Sequence, residues 1–449
     1  MWSRLFLIYF FVVCGIALPA ERDRPVFTID QIPQWIEYDG YSAEVHNVNT
    51  PDGYILELHR IPYAQHQSAS STRRPVVFLM HGLMAASNSY ITLGPRYSIA
   101  YNYADAGFDV WMGNARGNRL SRHHEALNPD DDEEKLKFFD FSFEEIGIDV
   151  AQMIDYVLEV TGEEKLHYIG HSQGGTVFLV LASMLPEYNE KFTSVHLMAG
   201  VGYQDYFPSR ILRFLASYTD EIHAAALRLG LVEVSSSTLN LSPDLTDIAV
   251  GENLQDYLNI LIAIIQYLRD VTDTGIEQDV PDMFGGAALK QIAHYGQNIR
   301  DKAFRRWDYG AVKNNEVYGT VTPPIYDLSL ITANVTMHYT INDRLLDERD
   351  VLAMARDMPN TVPRKVARDD FLHADFVIAL DAKELVTNYM IESMLQAENM
   401  EPTGPDGTPG SGDGDITTPN PDEPDSSNIV ALSLVIKIYL CIHTLWTLL

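Results

Sequence analysis

Short apolar runs alternate with longer amphipathic ones through most of the chain. Residues 41–49 and 54–61 read as β-strands joined across Pro51-Asp52-Gly53, a hairpin turn signal. The runs at 75–80 (PVVFLM) and 109–112 (DVWM) are apolar at consecutive positions, the pattern of strands buried on both faces of a parallel sheet. Residues 146–160 carry Val150, Met153, Ile154 and Val157 at helical spacing, which predicts an amphipathic helix. A strand at 165–169, an almost wholly apolar helix at 176–185 and a strand at 194–199 follow. This order of strand and helix implies a parallel sheet with right-handed crossovers.

From about residue 203 to 322 the rhythm changes. Helical stretches at 210–231 and 253–268 dominate, and strand patterns resume only near Ile325, then at 335–340 and 364–367, with a helix expected over 375–395. We therefore expect one α/β body, residues 21–202 and 323–400, interrupted by a helical insertion at 203–322.

The ends differ from this body. Residues 1–20 combine a basic start at Arg4, an apolar stretch and small residues near Ala20, the make-up of a secretory signal. Residues 401–428 are rich in Pro, Gly, Ser, Thr and acids and cannot bury a core, so a disordered linker is expected there. Residues 429–449 are apolar apart from Lys437 and His443, with no basic flank beyond them. That arrangement suits a glycosylphosphatidylinositol signal better than a stop-transfer helix, with a membrane anchor as the alternative. Two sequons, at Asn240 and Asn334, fit passage through the secretory pathway.

Composition narrows the class of function. The 449 residues carry 32 Lys and Arg against 62 Asp and Glu, a formal net charge of −30, so nucleic acid is excluded as a partner. Most of that charge belongs to the body, because the linker holds only seven acids. Both cysteines, Cys14 and Cys441, fall in the terminal apolar segments, so the body contains no disulfide. No zinc, phosphate-loop or dinucleotide signature is present, so neither metal nor cofactor is expected. The acidic run at 130–134 lacks the spacing and glycine of a calcium loop and reads as solvated.

The chemistry concentrates at Gly170-His171-Ser172-Gln173-Gly174, placed between a strand and a helix. In that context the motif forms a sharp turn that exposes a nucleophilic serine, with the helix N-terminus aimed at developing negative charge. His81-Gly82-Leu83-Met84 follows an earlier strand, and an oxyanion hole would take one N–H from Leu83 and one from Gln173. A serine hydroxyl needs a base oriented by an acid. Asp343 follows the strand at 335–340 and His373 follows the next strand-like run, which is the chain order of α/β-hydrolases. Asp347, Asp369 and Asp370 compete for the acid's role, while His81, His171, His294 and His338 are candidates for structural histidines.

The segments HGLMAASNSY, GNARGNRLSRHH, FFDFSFEEIGIDV, GHSQGG, HYGQ, RRWDYG, PPIYDL, NDRLLD and LHADF occur in this order between residues 81 and 376. Together they resemble the acid lipase family of lysosomal and gastric lipases and their insect relatives. The resemblance implies an α/β-hydrolase fold with a mostly parallel central sheet and an inserted helical cap or lid. It also implies Ser172 as nucleophile, Asp343 as acid, His373 as base and Leu83 with Gln173 as the oxyanion hole. The expected reaction is hydrolysis of lipid esters such as acylglycerols or sterol esters at a lipid–water interface. The competing expectation is an inactive lipid-binding carrier on the same fold. The chain departs from the family at its missing cap disulfide, at Phe143 in place of a tryptophan, and at Phe284-Gly285-Gly286-Ala287-Ala288.

Overall fold

The computed structural model describes residues 25, 27–64, 73–235 and 284–400. The signal segment, Asn240, the helix expected over 253–268, the linker, the apolar tail and both cysteines lie outside the described residues.

Strands β1 (Glu44–Asn49) and β2 (Tyr54–Ile61) form an antiparallel hairpin, and β2 also pairs antiparallel with β4 (Asp109–Gly113). From there the sheet is parallel through β3 (Val76–Met80), β6 (Leu166–His171), β7 (Phe192–Met198), β10 (Val335–Tyr339) and β11 (Thr361–Lys365). The spatial order is β1-β2-β4-β3-β6-β7-β10-β11, with a short strand β5 (His123–His124) paired to β2. Every residue of β3, β4 and β6 is buried, which explains their largely apolar runs.

The register decides where the chemistry sits. Met80 at the end of β3 is level with Gly170 near the end of β6, and His171 is level with Met198 at the end of β7. Loops leaving the carboxyl ends of parallel strands therefore meet at one edge of the sheet, where open α/β sheets build their sites.

Two sequence-predicted helices are each broken in the structure. In place of one helix over 210–231 there are two, Arg210–Ala216 and Thr219–Arg228. The break at Ser217 and Tyr218 is closed by tight turns onto Phe214 and Leu215 carbonyls, and it brings the Thr219 hydroxyl to the Ala293 carbonyl at 3.2 Å. Helical spacing alone does not register that tertiary contact. Likewise the stretch over 375–395 is split into Asp375–Ile378, a wider turn at Lys383–Thr387 and Asn388–Ala397. There Arg368 holds Asp375 and Asp381 together, folding the chain between the helical pieces.

A second, smaller apolar cluster lies apart from the sheet core. Phe207, Leu212, Ala216, Ile222, Ala226 and Leu289 belong to it, together with Met84 from the loop after β3. A two-stranded ladder of β8 (Glu233–Val234) and β9 (Ala287–Ala288) joins its segments. Among the described residues, no helix is long and apolar enough to cross a membrane.

Candidate active site

Ser172 stands between β6 and the Gln173–Met184 helix with φ 53° and ψ −114°, a conformation that side-chain-bearing residues rarely adopt. Such strain costs about 1–3 kcal/mol and is held only where the surroundings over-determine it. They do so here through glycine. A Cβ on Gly174 would lie 2.0 Å from the Met80 carbonyl oxygen, and one on Gly170 would lie 2.4 Å from the Gly174 carbonyl oxygen. Only hydrogen side chains let the turn press against the end of β3. The Tyr168 hydroxyl then donates to the Gly174 carbonyl at 2.7 Å, fixing the turn from beneath.

The loop after β3 lies directly beside this turn, since a Cβ on Gly82 would come 3.2 Å from Ser172 Cβ. His81 shapes that loop. Its Nε2 accepts from the Ala115 N–H at 3.1 Å, which leaves the proton on Nδ1 to donate to the Gly82 carbonyl at 2.8 Å. The Ala85 N–H donates to the same carbonyl. Because the peptide is trans, holding the Gly82 carbonyl on one side turns the Leu83 N–H to the other. Burial pushes the His81 imidazole down to about 4, so it stays neutral and keeps this tautomer. Neither the Leu83 N–H nor the Gln173 N–H donates to another described group, and Gln173 opens a helix whose first N–H groups are unpaired by geometry.

Asp343 and His373 are brought together from separate loops. His373 Nδ1 donates to Asp343 Oδ2 at 2.7 Å, and both residues are almost wholly buried. Asp343 Oδ1 accepts from the backbone N–H groups of Leu345 at 2.7 Å and Leu346 at 3.1 Å, so the carboxylate cannot rotate away. His373 Nε2 is buried and makes no hydrogen bond to any described residue. His171, adjacent to Ser172, donates from Nε2 to the His373 carbonyl at 2.9 Å and so ties the base's loop to the turn. Burial, with His373 nearby, pushes the His171 imidazole down to about 3.

The rival residues are engaged elsewhere. Asp347 caps the Glu348–Asp357 helix and pairs with Arg349; Asp369 pairs with Lys365, and Asp370 with Arg368. His338 shares a hydrogen bond with His196 at 3.1 Å within the sheet. His294 donates to the Arg305 carbonyl and stacks on Phe143, ring centroids 3.9 Å apart, so the residue standing in the tryptophan's place is a packing partner. Asn334 is exposed at the start of β10, at the opposite end of that strand from Asp343.

Sequence reasoning overlooked Gly285. Its N–H donates to the Met84 carbonyl at 2.8 Å and its carbonyl accepts from the Arg119 N–H at 2.6 Å. A Cβ there would meet the Ala85 carbonyl oxygen at 2.3 Å. The Phe284–Ala288 stretch thus braces the loop that carries Leu83, a role signalled only by the unusual Gly-Gly pair.

Comparison with known proteins agrees with this fold. Residues 32–94 match a family described as a partial alpha/beta-hydrolase lipase region, and residues 75–232 match the alpha/beta hydrolase fold. Lipase 3 of Drosophila melanogaster is 36% identical over 394 residues, covering 86% of this chain and 98% of that protein. The chain belongs to the acid lipase family. Lipase 1 of the same fly is 36% identical over 363 residues, 79% of this chain and 77% of that protein. The gastric triacylglycerol lipase of Bos taurus is 31% identical over 418 residues, 88% of this chain and 99% of that protein. The family's α/β-hydrolase fold is the mostly parallel sheet described above, and in this acid lipase Ser172 and Asp343 follow the carboxyl ends of β6 and β10.

Proposed function

We propose that the protein is a serine lipase that hydrolyses carboxylic esters of lipids through an acyl-enzyme. The observation that carries this reading is the buried Asp343–His373 pair, which leaves Nε2 of the base unengaged, in a loop that His171 ties to the strained turn of Ser172. His373 Nε2 takes the Ser172 proton as Oγ attacks the ester carbonyl. The Leu83 and Gln173 N–H groups receive the oxyanion, and His373 returns the proton to the departing alcohol. Water, deprotonated by His373, then releases the fatty acid. A lipid carrier has no use for this constellation.

Residues 203–322 serve as the cap, with residues 21–202 and 323–400 as the catalytic body. Phe214 is 61% exposed on the short Arg210–Ala216 helix, its ring 5.4 Å from that of Tyr218, which is also exposed. Large exposed rings on the cap suit contact with a lipid–water interface, since net charge −30 gives no help on an anionic surface. Phe214→Asp should lower hydrolysis of emulsified triacylglycerol by about tenfold or more, because a buried aromatic ring contributes about 2 kcal/mol. Turnover of a water-soluble butyrate ester should be unchanged. Equal loss on both substrates would place Phe214 in the catalytic architecture instead.

The signal segment, the sequons at Asn240 and Asn334 and the apolar tail support a secreted or membrane-tethered glycoprotein, held at the cell surface or delivered extracellularly or to lysosomes. A substrate panel of triacylglycerol, cholesteryl ester and peptides tests the reaction class. Release of fatty acid from either lipid ester without peptide cleavage is the expected result, and cleavage of peptides alone would contradict it.

A further inference from the structure

A cavity of about 270 Å³ opens where the insertion meets the body, and Ser172 is not among the residues that line it. Its apolar wall is formed by Phe139 from the body, Leu227 from the Thr219–Arg228 helix, and Val232 and Leu289 from the segments around the small ladder. Its polar lining is Lys290, Asp140 and His223. At about 30 Å³ per water, the volume corresponds to roughly nine water molecules, near the lower end of ligand-binding pockets.

Lys290 is the unusual member. Only 6% of it is exposed, yet the ammonium has three donors and Asp140, at 2.7 Å, is its one hydrogen-bond partner among the described residues. Around it stand the ring faces of Trp307 and Tyr309, at 5.2 and 5.6 Å, and the Glu145 carboxylate, which the lysine's charge helps to hold ionised. The Asp140 side chain is 69% exposed and free to turn into water. The cation is thus fixed in the wall while its counter-ion is dispensable, because an ion pair with so exposed a partner contributes little. Lys290 is also the second residue of the Leu289–Asp301 helix, whose N-cap, Ala288, offers no side-chain acceptor, so the helix dipole adds to the positive field. His223 makes no hydrogen bond among the described residues and supplies a second donor; burial pushes its imidazole down to about 4, which keeps it neutral.

An apolar wall with a buried cation and a neutral donor fits an amphipathic anion. We propose that this cavity binds a fatty acid at a site separate from the Ser172 cleft, with Lys290 and His223 holding the carboxylate and the wall taking the first part of the alkyl chain. The proposal rests on the hydrolase reading for the origin of its ligand, since fatty acid is the product released at Ser172. Binding spans body and insertion, so product would bridge the Thr219–Arg228 helix to the segment around Phe139.

Oleate binding is read by displacement of a fluorescent fatty acid from the intact protein after a long-chain alkylphosphonate has capped Ser172 and filled its cleft. The capped protein should still bind oleate. Lys290→Met should weaken that binding by about tenfold or more, as loss of a charge-assisted contact does. Lys290→Arg should keep it within a few-fold, and Asp140→Asn should leave it equal or tighter. Leu227→Asp, at an exposed position of the wall, should weaken it without disturbing the fold. Butyrate ester turnover should stay at the parental level in all four variants. Absence of oleate binding by the capped protein, or equal affinity in Lys290→Met, would overturn the site. If the phosphonate fails to react and no ester is cleaved, the hydrolase reading fails separately, and the parent-to-Lys290→Met difference measured on uncapped protein still decides the cavity.

Discussion

Ser172→Ala should reduce ester turnover by about a millionfold relative to the parent enzyme, down to the residual rate that a preorganised oxyanion hole and binding alone sustain. The magnitude follows from the proposal that the three residues act as one unit. Without the hydroxyl, the unengaged Nε2 of His373 has no proton to take, and the pair formed with Asp343 does nothing for catalysis. Alanine also loses nothing that holds the turn together, because the fit depends on Gly170 and Gly174 rather than on the serine side chain. The variant should therefore melt within a few degrees of the parent, since alanine keeps the Cβ and with it the same backbone strain at φ 53°. Hydrolysis of p-nitrophenyl butyrate with thermal unfolding measured alongside checks both parts. Turnover within about a hundredfold of the parent would move the nucleophile elsewhere.

Asp343→Asn should cost about four orders of magnitude in kcat, more than any loss of a surface ion pair would produce. The reason lies in how the carboxylate is held. Oδ1 accepts from the Leu345 and Leu346 N–H groups, so an asparagine keeps its carbonyl oxygen there and turns its NH₂ toward His373 Nδ1. Nδ1 must then accept, the proton moves to Nε2, and the base can no longer take one from Ser172. Geometry is preserved while the tautomer is wrong, so KM should change little and kcat should carry the loss. Near-parental kcat would return the acid's role to another carboxylate, although Asp347, Asp369 and Asp370 are each paired with a nearby basic residue.

Much of this arrangement was legible in the sequence because local and global signals agree. The runs at 75–80 and 110–112 are apolar throughout since both are buried within the parallel sheet, and such runs have few alternatives. The GHSQGG motif could be placed on a strand–turn–helix because its flanks are the most strongly patterned in the chain. Less legible was anything decided by contacts distant in sequence. The break near Ser217 depends on Thr219 reaching the Ala293 carbonyl, and the break after Ile378 on Arg368 joining two aspartates. His171 and His81 look alike in sequence to any buried histidine. Their roles, tying the His373 loop and turning the Gly82 peptide, depend on partners elsewhere in the chain. Gly285 bracing Met84 was hidden for the same reason. Nothing in the sequence marks Lys290, and only burial singles it out.

A net charge of −30 cannot draw the protein to an anionic surface, so the proposed contact with lipid rests on apolar side chains such as Phe214 and Tyr218. At the cavity, one buried lysine set among so many acids becomes conspicuous.

Activation of Ser172 as a nucleophile is measured by treating the intact protein with a fluorophosphonate, followed by peptide mass spectrometry. One phosphonyl adduct per chain is expected, on the peptide containing Ser172, formed in step with loss of ester hydrolysis and absent after His373→Ala. Hydrolysis that persists with Ser172 unmodified, or an adduct on another serine that tracks the loss, would contradict it.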